Sequence, residues 1–384
     1  MSLAQEKIIR AVILTIPGIG GRRLRQLVAY FGSAENAWMV PEEEILTNNT
    51  SNWIKSFLKK RNKIELLKMK AKLEEKNISL VMPGESEYPI LLGECSDCPP
   101  LLFYKGSLKK GLEGIAVVGA RKATAYGRAA SSFLAKEIAH KGYVVVSGLA
   151  RGIDTAAHKG ALEANGVTWA FMAGGLDNIY PPENKDLAGC ICKKGAILSE
   201  YPPEVYPEQG FFPARNRLIS GSSRGVVVVE ASQKSGALIT VDFALEQGRE
   251  VFAVPGPIFS EMSVGTHQLL RMGAKIVENA DDIVSELIGM PSQVVDNLKK
   301  HKNLELNLDE VEDLASEKNY SKEQYGDILQ CFSDIPIHID RLVALCKLPS
   351  QDIALGLLKL QLEGKIEQLP GQLYVLARKN WTRR

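Results

Sequence analysis

The spacing of apolar residues changes character along the chain, and each change marks a different kind of structure. Over residues 1–75 apolar positions recur at helical intervals, interrupted by the glycine-rich turn Leu14-Thr15-Ile16-Pro17-Gly18-Ile19-Gly20-Gly21-Arg22-Arg23, and a long Lys-rich helix is predicted around 53–76. Residues 80–113 lose periodicity and carry Tyr88-Pro89 and Cys98-Pro99-Pro100, the composition of an irregular connector. From residue 114 the pattern becomes short β-branched runs alternating with helical segments. The strands predicted are Gly114–Val118, Tyr143–Val146, Val167–Met172, Ala196–Leu198, Val226–Glu230 and Glu250–Val254. Runs that are apolar throughout, joined by crossover helices, form a parallel sheet covered on both faces. Residues 291–320 are polar and charged, as in Asn297-Leu298-Lys299-Lys300-His301-Lys302, and read as a linker. Three helical segments and a hairpin turning at Pro370-Gly371 then give the layout of a winged helix. The expected organisation is a helical domain over 1–78, an extended Rossmann-like α/β domain over 79–290, a linker over 291–320 and a winged helix over 321–384.

Composition narrows the setting. Of 384 residues, 45% are hydrophobic and 24% charged, the balance of a soluble globular protein. No apolar run reaches bilayer length and the N-terminal MSLAQEKIIR lacks an apolar signal core, so a cytoplasmic protein with no membrane partner is expected. The formal net charge of +2 is unevenly spread. Residues 1–110 hold 17 basic and 12 acidic side chains, while 111–290 hold 17 and 19. Any anion bound by the central domain must therefore be held by locally placed groups rather than by a general positive field. The six cysteines stand at 95, 98, 190, 192, 331 and 346; the one C-x-x-C, Cys95 and Cys98, has no partner pair at zinc spacing, so reduced thiols and no metal are expected.

In an open parallel sheet, ligands bind beyond the carboxyl ends of the strands. The unusual residues concentrate there: Gly119-Ala120-Arg121 after the first strand, Ser147-Gly148-Leu149-Ala150-Arg151-Gly152-Ile153-Asp154 after the second, and Gly174 to Asn184 after the third. Phe211-Phe212-Pro213-Ala214-Arg215-Asn216-Arg217 precedes the fifth, and Ser232-Gln233-Lys234-Ser235-Gly236 follows it and opens a helix. Glycine lets a phosphate approach the backbone, helix starts and hydroxyls donate to it, and arginine adds a charged fork. A phosphate-rich ligand follows. The alternative is purely structural, with turn glycines and arginines paired to Asp154 or Glu230. The first strand is not followed by G-x-G-x-x-G, no acid closes the second strand, and no Walker A sequence occurs, which disfavours nicotinamide cofactors and ATP. Asp154 and His158 sit four apart on one helix, where a cap and a packed imidazole explain them. With no carboxylate cluster for catalytic metals, no enzymatic activity and no cofactor are expected. At the N-terminus, Leu14–Arg23 looks like the turn of a helix-hairpin-helix, whose glycines expose amides to a phosphate; a plain helix connection explains it as well.

Six segments together resemble the DNA-processing protein A family (DprA, also called Smf). They are Gly119-Ala120-Arg121, SGLARGIDTAAH (Ser147–His158), GGLDNIYPPEN (Gly174–Asn184), FPARNR (Phe212–Arg217), VVEASQKSGALIT (Val228–Thr240) and GREVFAVPG (Gly248–Gly256), in the family's order. The resemblance implies a sterile-alpha-motif-like N-terminal domain and a C-terminal winged helix. It also implies a homodimer formed through the Rossmann domain, and a role in natural transformation (competence) and recombination. That role is to bind incoming single-stranded DNA, protect it and help load the RecA recombinase. By the resemblance the DNA phosphates are held by Gly119, Ala120 and Arg121, by Ser147, Gly148 and Arg151, by Arg215, Asn216 and Arg217, and by Lys234, Ser235 and Gly236. Ala120 stands where many relatives have serine, which leaves the contact to backbone amides. Phe212 resembles an aromatic that stacks on a base; a core role beside Pro213 is the alternative. Two other classes stay open. One is a Rossmann-type nucleotide phosphoribohydrolase, whose PGG-type loop Pro255-Gly256-Pro257 does not reproduce. The other is an interaction scaffold with a relict phosphate site. In the winged helix, the recognition helix Ser350–Glu363 holds only Lys359 as a basic residue and the wing Gly364–Leu376 only Lys365, a surface that fits protein better than a duplex groove.

Overall fold

The computed structural model describes residues 3–42, 52–61 and 66–288, and in the C-terminal part 328, 331–332, 337–346, 353, 356–357, 360–361, 365–369 and 373–376. The chain divides into two compact units, Met1–Ser292 and Gln293–Arg384.

The first unit is built on a nine-stranded sheet. Its strands are β1 (Ser79–Val81), β2 (Leu102–Gly106), β3 (Gly114–Val118), β4 (Val144–Ser147), β5 (Thr168–Phe171), β6 (Ala196–Ser199), β7 (Ser223–Val228), β8 (Glu250–Ala253) and β9 (Lys275–Ile276). They lie in the order β1-β2-β6-β5-β4-β3-β7-β8-β9. From β6 through β9 the pairing is parallel, while β1 and β2 are antiparallel to their neighbours. All six predicted strands form. β1 and β2 arise in the stretch expected to be an irregular connector. They are short, and the segment between them carries Pro83, Pro89, Pro99 and Pro100, yet Phe103 pairs with Ser199 and extends the sheet past β6.

Strand residues alternate between two cores because successive side chains point to opposite faces. Ile115, Val117, Val145 and Val227 pack with Leu134, Ile138 and Ile153 on one face. Ala116, Val118, Val146, Val226 and Val228 pack with Leu218, Val241 and Trp169 on the other. Both faces being covered is what makes the strands apolar throughout. The helices Ala125–His140 and Ile153–Glu163 touch closely, and a Cβ at Gly160 would run into the carbonyl of Ser132.

Among the described residues the helices Leu3–Leu14, Gly21–Phe31, Ala34–Met39, Asn52–Arg61 and Leu66–Glu75 precede the sheet. The predicted helix over 53–76 falls on the last two, with 62–65 outside the described residues. They share one core with the sheet, since Ile9, Ile13, Leu24 and Phe57 cluster with Leu101, Phe103, Met172 and Ile197. Glu6 is buried in this bundle, where it accepts from the amides of Ala34 and Glu35 and pairs with Arg10. Burial alone would raise its pKa, but those donors hold it below the ordinary carboxylate value.

In the second unit, β10 (Ile337–His338), β11 (Ile366–Leu369) and β12 (Leu373–Leu376) form an antiparallel sheet in the order β10-β12-β11. The helix Ile339–Cys346 and the buried Ile353, Leu357 and Leu360 complete its core. This is a winged helix domain. Pro370, Gly371, most of Ser350–Glu363 and the expected linker lie outside the described residues. Among the described residues no helix is long and apolar enough to cross a membrane. No disulfide forms among the described residues, and burial raises the Cys95 and Cys98 thiols above their ordinary pKa.

Candidate nucleic-acid interface

The chain runs from β3 outward through β4, β5 and β6, then returns to place β7 on the other side of β3. Where the direction of winding reverses, the loops leaving adjacent strands separate and open a crevice. Here that crevice is a cleft of about 690 Å³, lined among others by Gly119, Arg121, Lys122, Phe212, Asn216 and Ser235.

Its floor is fastened by buried polar groups. Glu230, at the end of β7, is buried and accepts from the Thr124 amide at 2.9 Å and its hydroxyl at 2.5 Å. Thr124 in turn caps the helix Ala125–His140 through the Gly127 amide at 3.1 Å. The Ala120 amide donates to the Glu230 carbonyl at 2.7 Å. That amide therefore ties β3 to β7 and does not supply the phosphate donor expected of it. Gly119 is pressed between Ile153 and Glu230, where a Cβ would stand 2.7 and 2.8 Å from their atoms. Gly152 adopts φ +77 and abuts the carbonyl of Ala120, so only glycine fits.

Arg215 is the keystone of the β4 and β5 ends. Only 3% exposed, it donates to the carbonyls of Gly148 at 2.5 Å and Phe171 at 2.6 Å. Its guanidinium fills the space a side chain at Gly148 would need. Burial, opposed by the nearby Asp154, pulls its pKa down to about 10. Asp154 accepts from the amides of Gly148 at 3.1 Å and Ala150 at 3.3 Å. Burial pushes this carboxyl up, against the pull of Arg215 and both amides. His158, one turn on, is fully buried with Nδ1 2.7 Å from the Thr168 hydroxyl, which itself donates to the Val145 carbonyl. The Thr168 proton is thus committed, so Nδ1 must carry the imidazole hydrogen. Burial pushes this imidazole down to about 3. The pair is structural, but Asp154 is not the expected helix cap: Gly152 holds that position without a side-chain bond, Asp154 ties down the loop before the helix, and His158 is a packed ring.

The accessible wall is a row of cations and aromatics. The Arg121 guanidinium lies 4.8 Å over the Phe212 ring, Phe212 meets Tyr180 edge-on at 5.7 Å, and Arg151 lies 6.0 Å over Tyr180. Arg151 also pairs with Glu183, both side chains being about half exposed. Tyr180 is 41% exposed. The sequence motifs include this tyrosine without marking it as a contact; its place in the loop after the third predicted strand was the available signal. Lys122, beside Arg121, is a second cation lining the cleft that no sequence motif marks.

The remaining expected contacts divide. Asn216 donates to the Gly236 carbonyl at 3.3 Å and the Ser235 hydroxyl accepts from the Ala237 amide at 3.3 Å, which shapes the cleft wall beside β7. Lys234 is exposed on that loop but does not line the cleft. Ser147 is buried and donates to the Val117 carbonyl at 2.7 Å, turned into the sheet. Arg217 points away from the cleft, to Glu200 at 2.5 Å and the Asp97 carbonyl at 2.9 Å. The reason is that Phe211–Gly221 is a helix, on which residues two apart face different sides. Among the described residues no group of three or more His, Cys, Asp or Glu is placed to hold a metal ion.

Two family models match the chain: DNA recombination-mediator protein A over residues 79–288, and the DprA winged helix domain over 315–372. The DNA processing protein DprA of Bacillus subtilis is 44% identical over 251 residues, 65% of this chain and 82% of that protein. Protein Smf of Synechocystis is 33% identical over 94% of this chain and 96% of its own length. The solved structure of DprA from Streptococcus pneumoniae superposes with a TM-score of 0.65 at 34% identity, covering 74% of this chain and 99% of that one. With a matching model over more than half its length and a relative aligned nearly end to end, this chain belongs to the DNA recombination-mediator protein A (DprA/Smf) family.

Proposed function

We propose that the cleft binds single-stranded DNA and performs no chemistry on it, as part of natural transformation and recombination. The observation that carries this reading is the Arg121–Phe212–Tyr180–Arg151 row. Unstacked bases find aromatic faces there, and the guanidiniums at either end meet phosphates. In a duplex the bases are already stacked on one another and cannot use such a surface. Family membership supports the same reading and extends it: the bound strand is protected, the RecA recombinase is helped onto it, and two copies pair through the Rossmann domain. Exposed Val264, Met272 and Ile276 near the last strands offer apolar surface for that pairing. The test is a gel shift of single- and double-stranded oligonucleotides of one sequence at two salt concentrations. Single strands are expected to shift at lower protein concentration at both; equal or preferential duplex binding overturns the reading. Incubation with DNA and Mg²⁺ should leave strand lengths unchanged. Cleavage that co-purifies with the protein and vanishes on Arg121→Ala would make it an enzyme.

A further inference from the structure

A second groove of about 460 Å³ lies at the turn between the first two helices, lined by Gly18, Gly20, Arg22, Arg23, Gln26 and Trp53. Among the described residues its lining holds two guanidiniums and an indole and no carboxylate, imidazole or thiol, a set that suits an anion rather than a metal cation. The Arg23 guanidinium lies 5.6 Å over the Trp53 ring, and Arg22 is exposed beside it. Arg23 also donates to the Gly18 carbonyl, which fixes it beside the indole; a guanidinium on an aromatic ring can stack a further flat ring and offer its remaining N–H groups to a phosphate. The chemical class that carries both a flat ring and a phosphate is a nucleotide.

The position of the groove decides which nucleotide. Gly21 packs against Pro100, where a Cβ would stand 3.2 Å from Cδ, and lies close to Glu200, the residue that follows β6. The turn therefore sits at the carboxyl edge of the parallel sheet, the edge that holds the cleft. Glu200 itself is paired with Arg217 at 2.5 Å, so its charge is met. Tyr201 adjoins Glu200, Phe211 adjoins Phe212, and their rings stack at 4.3 Å with 20° between planes. Aromatic surface thus continues from the cleft toward the N-terminal turn. Three strand spacings separate β3 from β6, about 14 Å at the usual interval. About four nucleotides cover that distance even at the 3.4 Å rise of a stacked strand.

We infer that the Arg22–Arg23–Trp53 groove holds nucleotides of the same single strand that occupies the cleft, making the N-terminal helices part of the DNA path. This rests on the cleft reading above and extends it. It gives the excess positive charge of residues 1–110 a use that the central domain, with its excess of acids, does not have.

The experiment is fluorescence anisotropy with oligo(dT) of increasing length on the full chain, wild type, Arg22→Ala/Arg23→Ala and Arg121→Ala. Affinity of the wild type should rise as the strand outgrows the cleft. The double variant should match wild type on the shortest strand bound and lose the gain on longer ones. Its log–log salt slope on long strands should fall by about 1.4, from two phosphate contacts at roughly 0.7 each. Arg22→Ala alone, which leaves the Arg23–Trp53 contact intact, should give half that change and guards against a folding defect. If the double variant keeps wild-type affinity and slope on long strands while Arg121→Ala is weakened, the inference fails and the cleft stands. If Arg121→Ala binds every length like wild type, the cleft reading fails, and this inference with it.

Discussion

Three arginines within the motifs, Arg121, Arg215 and Arg217, look alike in sequence and do three different things. Arg121 is exposed over Phe212, Arg215 is buried against two carbonyls, and Arg217 closes an ion pair on the far side of its helix. Local sequence records that a guanidinium is present but not which way its stem leaves the backbone, which is why the motif reading grouped them. Arg121→Ala should weaken single-strand binding and flatten its salt slope by about 0.7 while leaving thermal stability unchanged. Arg215→Ala should instead destabilise the fold by about 2–4 kcal/mol, since two buried carbonyls and Asp154 lose their donor and counter-charge. Calorimetry and binding on the same samples separate the two roles. Glu183→Gln releases Arg151 from its ion pair and should strengthen DNA binding at low salt; weaker binding would show that Glu183 positions Arg151 rather than competes for it. His158 gives a pH prediction. Its folded pKa of about 3 lies below the unfolded value of about 6.5, so the unfolded chain takes up a proton first as pH falls. Its stabilising share is whole above about 6.5 and is lost progressively toward 3, at up to about 1.4 kcal/mol per pH unit. Denaturant unfolding across that range should show a shallower pH dependence in His158→Gln than in wild type.

At the scale of elements, six of the seven parallel strands are legible because burial on both faces leaves an uninterrupted apolar run. β1, β2 and β9 are not. They are short, β1 and β9 lie at the sheet's edges, and β1 and β2 pair through backbone with partners that no local pattern announces. The segment Phe211–Gly221 is a helix that begins at two aromatics and a proline after Gly210, with no side-chain cap to announce its start. Helix–helix contacts were equally hidden, and Gly160 is the clearest case. Gly160→Val should force the helices Ala125–His140 and Ile153–Glu163 apart and destabilise the protein by about 1–3 kcal/mol, read as a lowered denaturant midpoint. The winged helix core of Ile353, Leu357 and Leu360 uses positions the helical pattern marks as apolar. Because its expected recognition helix carries one lysine against Asp352 and Glu363, a chain ending near residue 290 should keep its single-strand affinity. Tight duplex binding by residues 321–384 alone would contradict that.

Across the whole molecule, the N-terminal helices do not stand apart from the sheet. Ile9, Ile13, Leu24 and Phe57 share its core, so a fragment beginning near residue 80 would expose apolar surface that the intact unit buries. Self-association is therefore best measured on residues 1–290, by light scattering at micromolar concentration. A dimer is expected, and a clean monomer would remove the interface from this unit. Charge follows the same division, with basic residues in excess up to residue 110 and acids in excess over residues 111–290, which is why local placement rather than net charge governs binding. The central claim is that the cation–aromatic row grips an unstacked strand. It is tested most directly by the dissociation constants of wild type and Tyr180→Ala/Phe212→Ala for one oligonucleotide, single-stranded and as a duplex. Single-strand affinity should fall by about 1–3 kcal/mol per stacked base lost, with duplex affinity unchanged; equal losses on both, or none on the single strand, would contradict it.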